Sequence, residues 1–397
     1  MTSTARWVRS LVVTSALLLA AGRVMAQDDV AQIIARIEGP QSPNRQGFDP
    51  LTLQQLMERF KVPGISIAVI KDFKIHWAKA YGLADVESGK ATDVNTLFQA
   101  ASISKPVTAM AVLRLAQEGR LSIDSDVNTL LKSWQVPSSD LNRDQPVTLR
   151  SLMSHTSGAD DGFGFPGYEP TAPRPTLVQI LKGEKPSNVG PVLFVRKPYV
   201  GQKYSGGGIE IEQLAVTDLT SKPFADLMRE KVLDPIGMTS STFEQPPEGA
   251  LAERTSRAHD GSGEGMGAKW HVYPEQAAAG LWTTPSDLAR FAIEVQLAYR
   301  GPAGKVLSQA SAREMISPTG VGPFAVGFAI DKKGEGWYFN HSGGNWGFGC
   351  DLLAHVRKGY GVVIMTNSDN GFPMIQEREA RVAAAYSWDS LDKPIPR

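Results

Sequence analysis

The sequence predicts an α+β fold: one antiparallel sheet, flanked by N- and C-terminal helices, that carries a large, mostly helical insertion. Three observations predict it. β-rich segments gather near the two ends of the chain, segments with helical apolar spacing dominate between them, and the 397 residues exceed what one core serves. Cores stop growing at roughly 250–300 residues, which asks for two lobes or one domain with a large insertion. The resulting division is a leader at 1–26, a sheet lobe from 27–105 and 283–397, and a helical lobe at 106–282. The active site is expected in the cleft between the lobes, where pockets commonly form.

Each element follows from local pattern. Met1 to Arg9 holds Arg6 and Arg9 and no acid, and Leu11 to Ala21 is an apolar run far shorter than the ~20 residues of a spanning helix. Val24-Met25-Ala26 then offers small residues for cleavage before Gln27-Asp28-Asp29. That is the layout of a secretory leader cut after Ala26, and it predicts a periplasmic or secreted protein with no membrane anchor after cleavage. No cysteine follows the run to take a lipid, and Arg6-Trp7-Val8-Arg9 is not a twin-arginine pair. Leu51 to Phe60 has helical spacing stopped by Pro63-Gly64. Ile65 to Ile70 and Lys74 to Tyr81 read as a hairpin turning at Lys71-Asp72-Phe73. Val107 to Glu118, Leu149 to Ser154, Ile209 to Leu219 and Phe224 to Leu233 read as helices of the insertion. Ala325 to Ile330, Trp337 to His341, Gly347 to His355 and Tyr360 to Thr366 read as strands, and Ile375 to Tyr386 as a closing helix. Gly158 to Arg174 and Gly261 to Gly267 are glycine-rich surface loops, placed to flank a cleft.

Composition removes several function classes. Lys plus Arg and Asp plus Glu both total 41, and a cleaved leader leaves 38 cations against 41 anions. A nucleic-acid binder would show a basic excess. The single cysteine, Cys350, excludes an internal disulfide framework, a cysteine zinc site and a CxxC redox motif. No HExxH, P-loop or GxSxG string occurs. Gly162 to Gly167 spells GxGxxG, yet it follows no predicted strand and holds Pro166 where the helix should begin.

Chemistry gathers instead in Gln99-Ala100-Ala101-Ser102-Ile103-Ser104-Lys105-Pro106. Ser102 and Lys105 are three apart and share a helix face, and Pro106 is tolerated only in a first turn, which starts the helix near Ser102 to Lys105. Backbone N–H groups at a helix start stabilise an oxyanion, and a lysine desolvated beside a serine can take its proton. An N-cap serine with a solvated lysine fits the same spacing, which Ser390-Leu391-Asp392-Lys393 repeats in a polar tail. Two further segments add weight. Lys203-Tyr204-Ser205-Gly206-Gly207-Gly208 sets a tyrosine on a glycine run before a helix; a core tyrosine fits too, but three glycines suit something that approaches the backbone closely. Asn340-His341-Ser342-Gly343-Gly344 sets a histidine at a strand end followed by glycines that let a ligand lie along the edge.

In this order the three segments resemble the penicillin-recognising serine hydrolases, in the branch of class C β-lactamases, D-Ala-D-Ala carboxypeptidases, D-aminopeptidases and related esterases. The resemblance extends over nearly all of the mature chain: Pro63 to Val69 is similar to the family's first strand, and Leu152-Met153-Ser154-His155-Thr156-Ser157-Gly158 to its LLxHTSG segment. Pro235-Ile236-Gly237-Met238 and Ala279 to Leu288 also have counterparts. It implies a β-lactamase/transpeptidase-like fold with Ser102 as acylated nucleophile, Lys105 as proton acceptor, Tyr204 as proton relay and His341 as the first residue of the Lys-Thr-Gly or His-x-Gly strand. The N–H groups of Ser102 and Gly344 would form the oxyanion hole, with Gly206, Ser342 and Gly343 against the substrate. No metal or organic cofactor is implied.

Two departures matter. Gly206 stands where Tyr-x-Asn has its amide and leaves space that suits a broader or flatter acyl group, and His341 replaces the strand lysine. Both argue against an efficient β-lactamase. His155 is expected to be structural, Cys350 a buried hydrophobe, and His76, His259, His271 and His355 have no ligand spacing. The implied activity is an exported serine hydrolase cutting amide or ester bonds of D-amino-acid peptides, cell-wall (peptidoglycan) fragments or small esters through an acyl-enzyme. A weak class C-type β-lactamase, or a catalytically silent protein that binds peptidoglycan or a partner, are the alternatives.

Overall fold

The computed structural model describes residues 29–41, 47–160, 164–333 and 336–388. The leader at 1–26, the Ser390–Lys393 repeat and the first residues of the Gly162–Gly167 string (162 and 163) lie outside the described residues. The chain divides into two compact units, one made of Met1–Leu56 with Glu377–Arg397 and one of Met57–Gln376. In the first, a helix at 29–38 meets the C-terminal helix through two fully buried cations. Arg378 Nη1 donates to the Ile37 carbonyl at 2.9 Å, and the Arg381 guanidinium donates to the carbonyls of Gly39 at 3.0 Å and Phe48 at 3.1 Å. Arg381 also pairs with Glu377 at 2.8 Å, so its charge is neutralised where it is buried.

The second unit is built on a seven-stranded antiparallel sheet of order β3-β2-β1-β9-β8-β7-β6. Its strands are β1 (Gly64–Lys71), β2 (Lys74–Asp85), β3 (Lys90–Ala91), β6 (Ala329–Lys333), β7 (Gly336–Asn345), β8 (Phe348–His355) and β9 (Gly361–Thr366); β4 (Phe98–Gln99) and β5 (Trp282–Thr283) form a separate pair. Asp72 and Phe73 turn the β1–β2 hairpin at φ 53° and 60°, the left-handed backbone that matches strand twist in a two-residue loop. β9 is fully buried and β1 is buried up to Lys71. Their near-continuous apolar sequences fit strands covered on both faces. β1 pairs with β9 in the register Ile65↔Thr366 to Ile70↔Gly361, so the two strand groups from opposite ends of the chain do form one sheet.

Between β3 and β6 the chain is mostly helical, and Ser104–Gln117, Leu149–Met153 and Gly206–Thr220 are the helices that place the site. Two expectations need correction. Ala325 to Phe328 is not strand: its apolar side chains are buried by a tight turn in which the Ala325 N–H donates to the Phe328 carbonyl at 2.8 Å, and β6 starts only at Ala329. The helix Pro285–Arg300 was not anticipated. Thr284 caps it by accepting from the Asp287 N–H, Pro285 fills its first turn, and it packs against β1, β2, β8 and β9.

Candidate active site

Ser102 lies on a single tight turn, Ala101–Ile103, immediately before the helix Ser104–Gln117. Ala101 holds φ 47°, a left-handed conformation that costs a non-glycine residue about 1–3 kcal/mol and concentrates at functional sites. Ser102 is half-buried between buried Ala101 and Ile103, so the turn lifts this one side chain toward the surface. Lys105 is only 3% exposed, and its Nζ is 3.0 Å from Ser102 Oγ and 2.9 Å from the Ala278 carbonyl. Because Lys105 is buried, these contacts take the place of water around its amino group. Nζ also lies 5.0 Å from the centroid of the Tyr204 ring. Tyr204 stands just before the helix Gly206–Thr220, whose first turn is capped by Ser205 Oγ accepting from the Gly208 N–H at 2.8 Å.

His155 forms the shelf beneath Tyr204. Its ring centroid is 4.3 Å from that of Tyr204 and 4.7 Å from that of Phe324. Nδ1 accepts from the Ser205 N–H at 3.2 Å, and its carbonyl accepts from the Lys203 N–H at 2.8 Å. Burial first, then the charge of Lys105, hold the imidazole neutral.

His341, on β7, completes the group, its ring centroid 6.2 Å from that of Tyr204. Nδ1 is 2.6 Å from the Ser342 carbonyl. A carbonyl can only accept, so Nδ1 carries the proton and Nε2 presents a lone pair. That Nε2 is buried without a hydrogen-bond partner. Burial, and then the Lys105 charge, push the pKa of His341 down to about 3, so the strand position is occupied by a neutral acceptor.

The glycines divide by what surrounds them. A Cβ on Gly343 would lie 2.3 Å from the Ala100 carbonyl and 3.0 Å from the Ser102 nitrogen, which makes Gly343 the point of close approach between β7 and the nucleophile turn. Gly344 would meet only the Phe372 ring, at 3.4 Å. The space expected beside Gly206 is filled: a Cβ there would lie 2.7 Å from Phe165 Cε2. Cys350 is buried, with its thiol raised well above the usual range by burial, and Sγ donates to the Ala100 carbonyl at 3.0 Å.

Several contributors left no signal in the sequence reading. The Ala278 peptide is gripped from both sides, its carbonyl by Lys105 and its N–H by Glu210 Oε1 at 3.1 Å. Glu210 and Glu212 are both fully buried, and burial raises both carboxyls well above their usual range. Asn345 Nδ2 donates to Gln99 Oε1 at 2.8 Å and to the Ala279 carbonyl at 3.1 Å, and Gln99 Nε2 donates to the His271 carbonyl at 2.8 Å. His271, to which no role was given, stacks on Trp346 at 3.9 Å. Among the described residues no cluster of three His, Cys, Asp or Glu side chains has the arrangement to hold a metal ion.

A half-buried serine against a buried lysine, at a helix start beside an antiparallel sheet, defines a β-lactamase-like fold and site. The chain is a member of the beta-lactamase family, whose model matches residues 51–387. Among curated relatives, it is 28% identical over 344 residues to "Esterase EstB" of Burkholderia gladioli, covering 79% of this chain and 80% of that one. It is 26% identical over 336 residues to "Protein flp" of Staphylococcus aureus (strain MRSA252), covering 80% of this chain and 62% of flp, so it spans less than two thirds of that relative's length. Of solved structures, the D-alanine carboxypeptidase AmpC of Burkholderia cenocepacia superposes with a TM-score of 0.66 at 18% identity, over 91% of this chain and 99% of that one, which establishes the shared fold. No helix among the described residues is long and apolar enough to cross a membrane.

Proposed function

We propose that this protein is an exported hydrolase of esters and amides that carry no carboxylate, including D-amino-acid amides, working through a Ser102 acyl-enzyme. Lys105 in its neutral form takes the Ser102 proton as Oγ attacks the carbonyl, and Tyr204 passes a proton to the leaving group. The N–H groups of Ser102 and Gly344 receive the developing oxyanion. Water then resolves the ester, with the same groups moving the proton in reverse. The leader pattern at 1–26 supports export.

The observation that carries the substrate class is the neutral His341. A β-lactam or a C-terminal D-alanine peptide brings a carboxylate, and a neutral acceptor on β7 offers it a lone pair where a cation is needed. A substrate without a carboxylate meets no such conflict, and the likeness to an esterase supports the same direction. The test is a panel of p-nitrophenyl acetate, p-nitrophenyl butyrate, D-alanine amide, a D-Ala-D-Ala peptide and nitrocefin, with fluorophosphonate labelling of the protein and of Ser102→Ala. The esters and the amide should show higher kcat/KM than the carboxylated substrates, and Ser102→Ala should fold normally, label with nothing and turn over nothing. Nitrocefin as the best substrate would overturn the substrate class in favour of a β-lactamase. An unlabelled wild-type protein with no turnover would overturn the activity in favour of a silent binding protein.

A further inference from the structure

Deepening the reading above and resting on it, we infer that Phe165 determines acyl-group specificity by standing in for a side chain at position 206. The ring edge covers Gly206, with Cε2 at 2.7 Å and Cζ at 3.1 Å from where a Cβ would be. Gly206 is two residues beyond Tyr204, a separation spanning at most about 7 Å, and Tyr204 lies against the lysine that touches Ser102. Phe165 therefore lies against the start of the helix that follows Tyr204, on the segment that carries the proton relay. It is packed against the apolar core on one side and half-exposed on the other, so it offers an open apolar surface.

The backbone just after Phe165 is held by its neighbours. The Pro166 carbonyl is bonded by His271 Nδ1 at 2.8 Å, and the Gly167 carbonyl accepts from Asn188 Nδ2 at 2.8 Å. Tyr168 and Val272 exchange backbone hydrogen bonds at 2.9 and 2.8 Å. Gly167, at φ +72°, leaves no room for a side chain: a Cβ would lie 2.7 Å from the Tyr273 ring. His271 in turn stacks on Trp346, the residue after β7. A loop anchored in this way keeps the ring beside Gly206 as an apolar wall.

Such a wall favours acyl groups that are apolar and flat or short-branched, and it disfavours acyl groups with an amide next to the carbonyl. An amide facing the ring loses water and gains no donor or acceptor there, a mismatch that weakens binding by about ten- to a hundredfold. Phe165→Ala should lower kcat/KM for p-nitrophenyl phenylacetate and butyrate about tenfold while leaving the acetate, which is too short to reach the ring, within threefold. Phe165→Leu should keep the butyrate activity and lose that on phenylacetate, and it guards against an alanine variant that fails to fold. Gly206→Ala pushes the ring aside and should lower the phenylacetate-to-acetate ratio in the wild type, with no further effect in Phe165→Ala. That non-additivity is what a shared wall requires and a merely structural role does not produce. An unchanged ratio in both Phe165 variants, with Ser102 still labelled and acetate still hydrolysed, overturns the role of Phe165 alone. Absence of labelling and of acetate turnover in the wild type overturns it together with the esterase reading.

Discussion

Gly343→Ala is the substitution whose effect the geometry defines most sharply. The added Cβ would sit 2.3 Å from the Ala100 carbonyl oxygen, 2.8 Å from Cys350 Sγ and 3.0 Å from the Ser102 nitrogen. A carbon–oxygen contact needs about 3.3 Å, so β7 and the nucleophile turn must separate by about 1 Å. The obstructing oxygen belongs to backbone that Cys350 also holds, and no flexible side chain can give way. Overpacking of this kind costs about 1–3 kcal/mol of stability. A displacement of about 1 Å at reacting groups costs about a hundredfold in rate. Gly344→Ala is the control: its Cβ meets only the edge of Phe372 at 3.4 Å, an ordinary contact. We expect kcat/KM for p-nitrophenyl acetate to fall about a hundredfold in Gly343→Ala and to stay within about fivefold in Gly344→Ala. Thermal unfolding of both variants separates lost packing from lost chemistry. A Gly343→Ala enzyme with near wild-type kcat/KM would refute the close approach of β7 to Ser102.

Lys105→Arg should reduce ester turnover at least a thousandfold while the protein still folds, because guanidinium cannot give up a proton; a variant keeping a tenth of the activity would make Lys105 an electrostatic partner only. Folding stability should carry two opposite pH dependences. The His341 pKa falls from 6.5 to about 3 on folding, so the unfolded chain takes up the proton first, and the contribution is full above pH 6.5 and lost on acidification. The Glu275 pKa rises from 4.5 to about 7, so its contribution is full below pH 4.5 and lost as pH rises through 7. Relative to wild type, His341→Gln should therefore gain about 2 kcal/mol between pH 7 and pH 5, and Glu275→Gln should lose about 2 kcal/mol. Urea midpoints at the two pH values check both, and parallel curves for wild type and variants would exclude these groups as the cause.

The hairpin of β1 and β2 was legible because local pattern and turn chemistry agreed: a β-branched run, then Asp72-Phe73, then a second run. Pro285–Arg300 was not, although Thr284, Pro285 and Asp287 carry start signals. Its buried residues include Asp287, Glu294 and Gln296, so the alternation of polar and apolar faces that reveals a surface helix is blurred. Ala325 to Phe328 misled for the complementary reason, since apolar residues can be buried by a turn as well as by a strand. At the site, Ser102 and Lys105 share a local spacing, and the structure brings them together with Tyr204 and His341. The Ala278 carbonyl is backbone, and Phe165 reaches Gly206 across about forty residues, so neither contact has a local signature.

The pairing of β1 with β9 has a consequence for how the polypeptide is made. Ile65 must wait for Thr366, some three hundred residues later, and closing so long a loop costs about 5 kcal/mol of chain entropy. During synthesis, β1 (GISIAVIK) therefore emerges early as an apolar ribbon with one edge unclaimed, the kind of edge that invites pairing with other chains. Folding of the sheet is tied to arrival of the last strand, and topologies of this kind fold slowly. A product that stops before Gly361 lacks the neighbour of β1 on one side and of β8 on the other. Such a fragment should accumulate as aggregate, and recovery of the intact chain should improve with lower temperature and dilution during refolding.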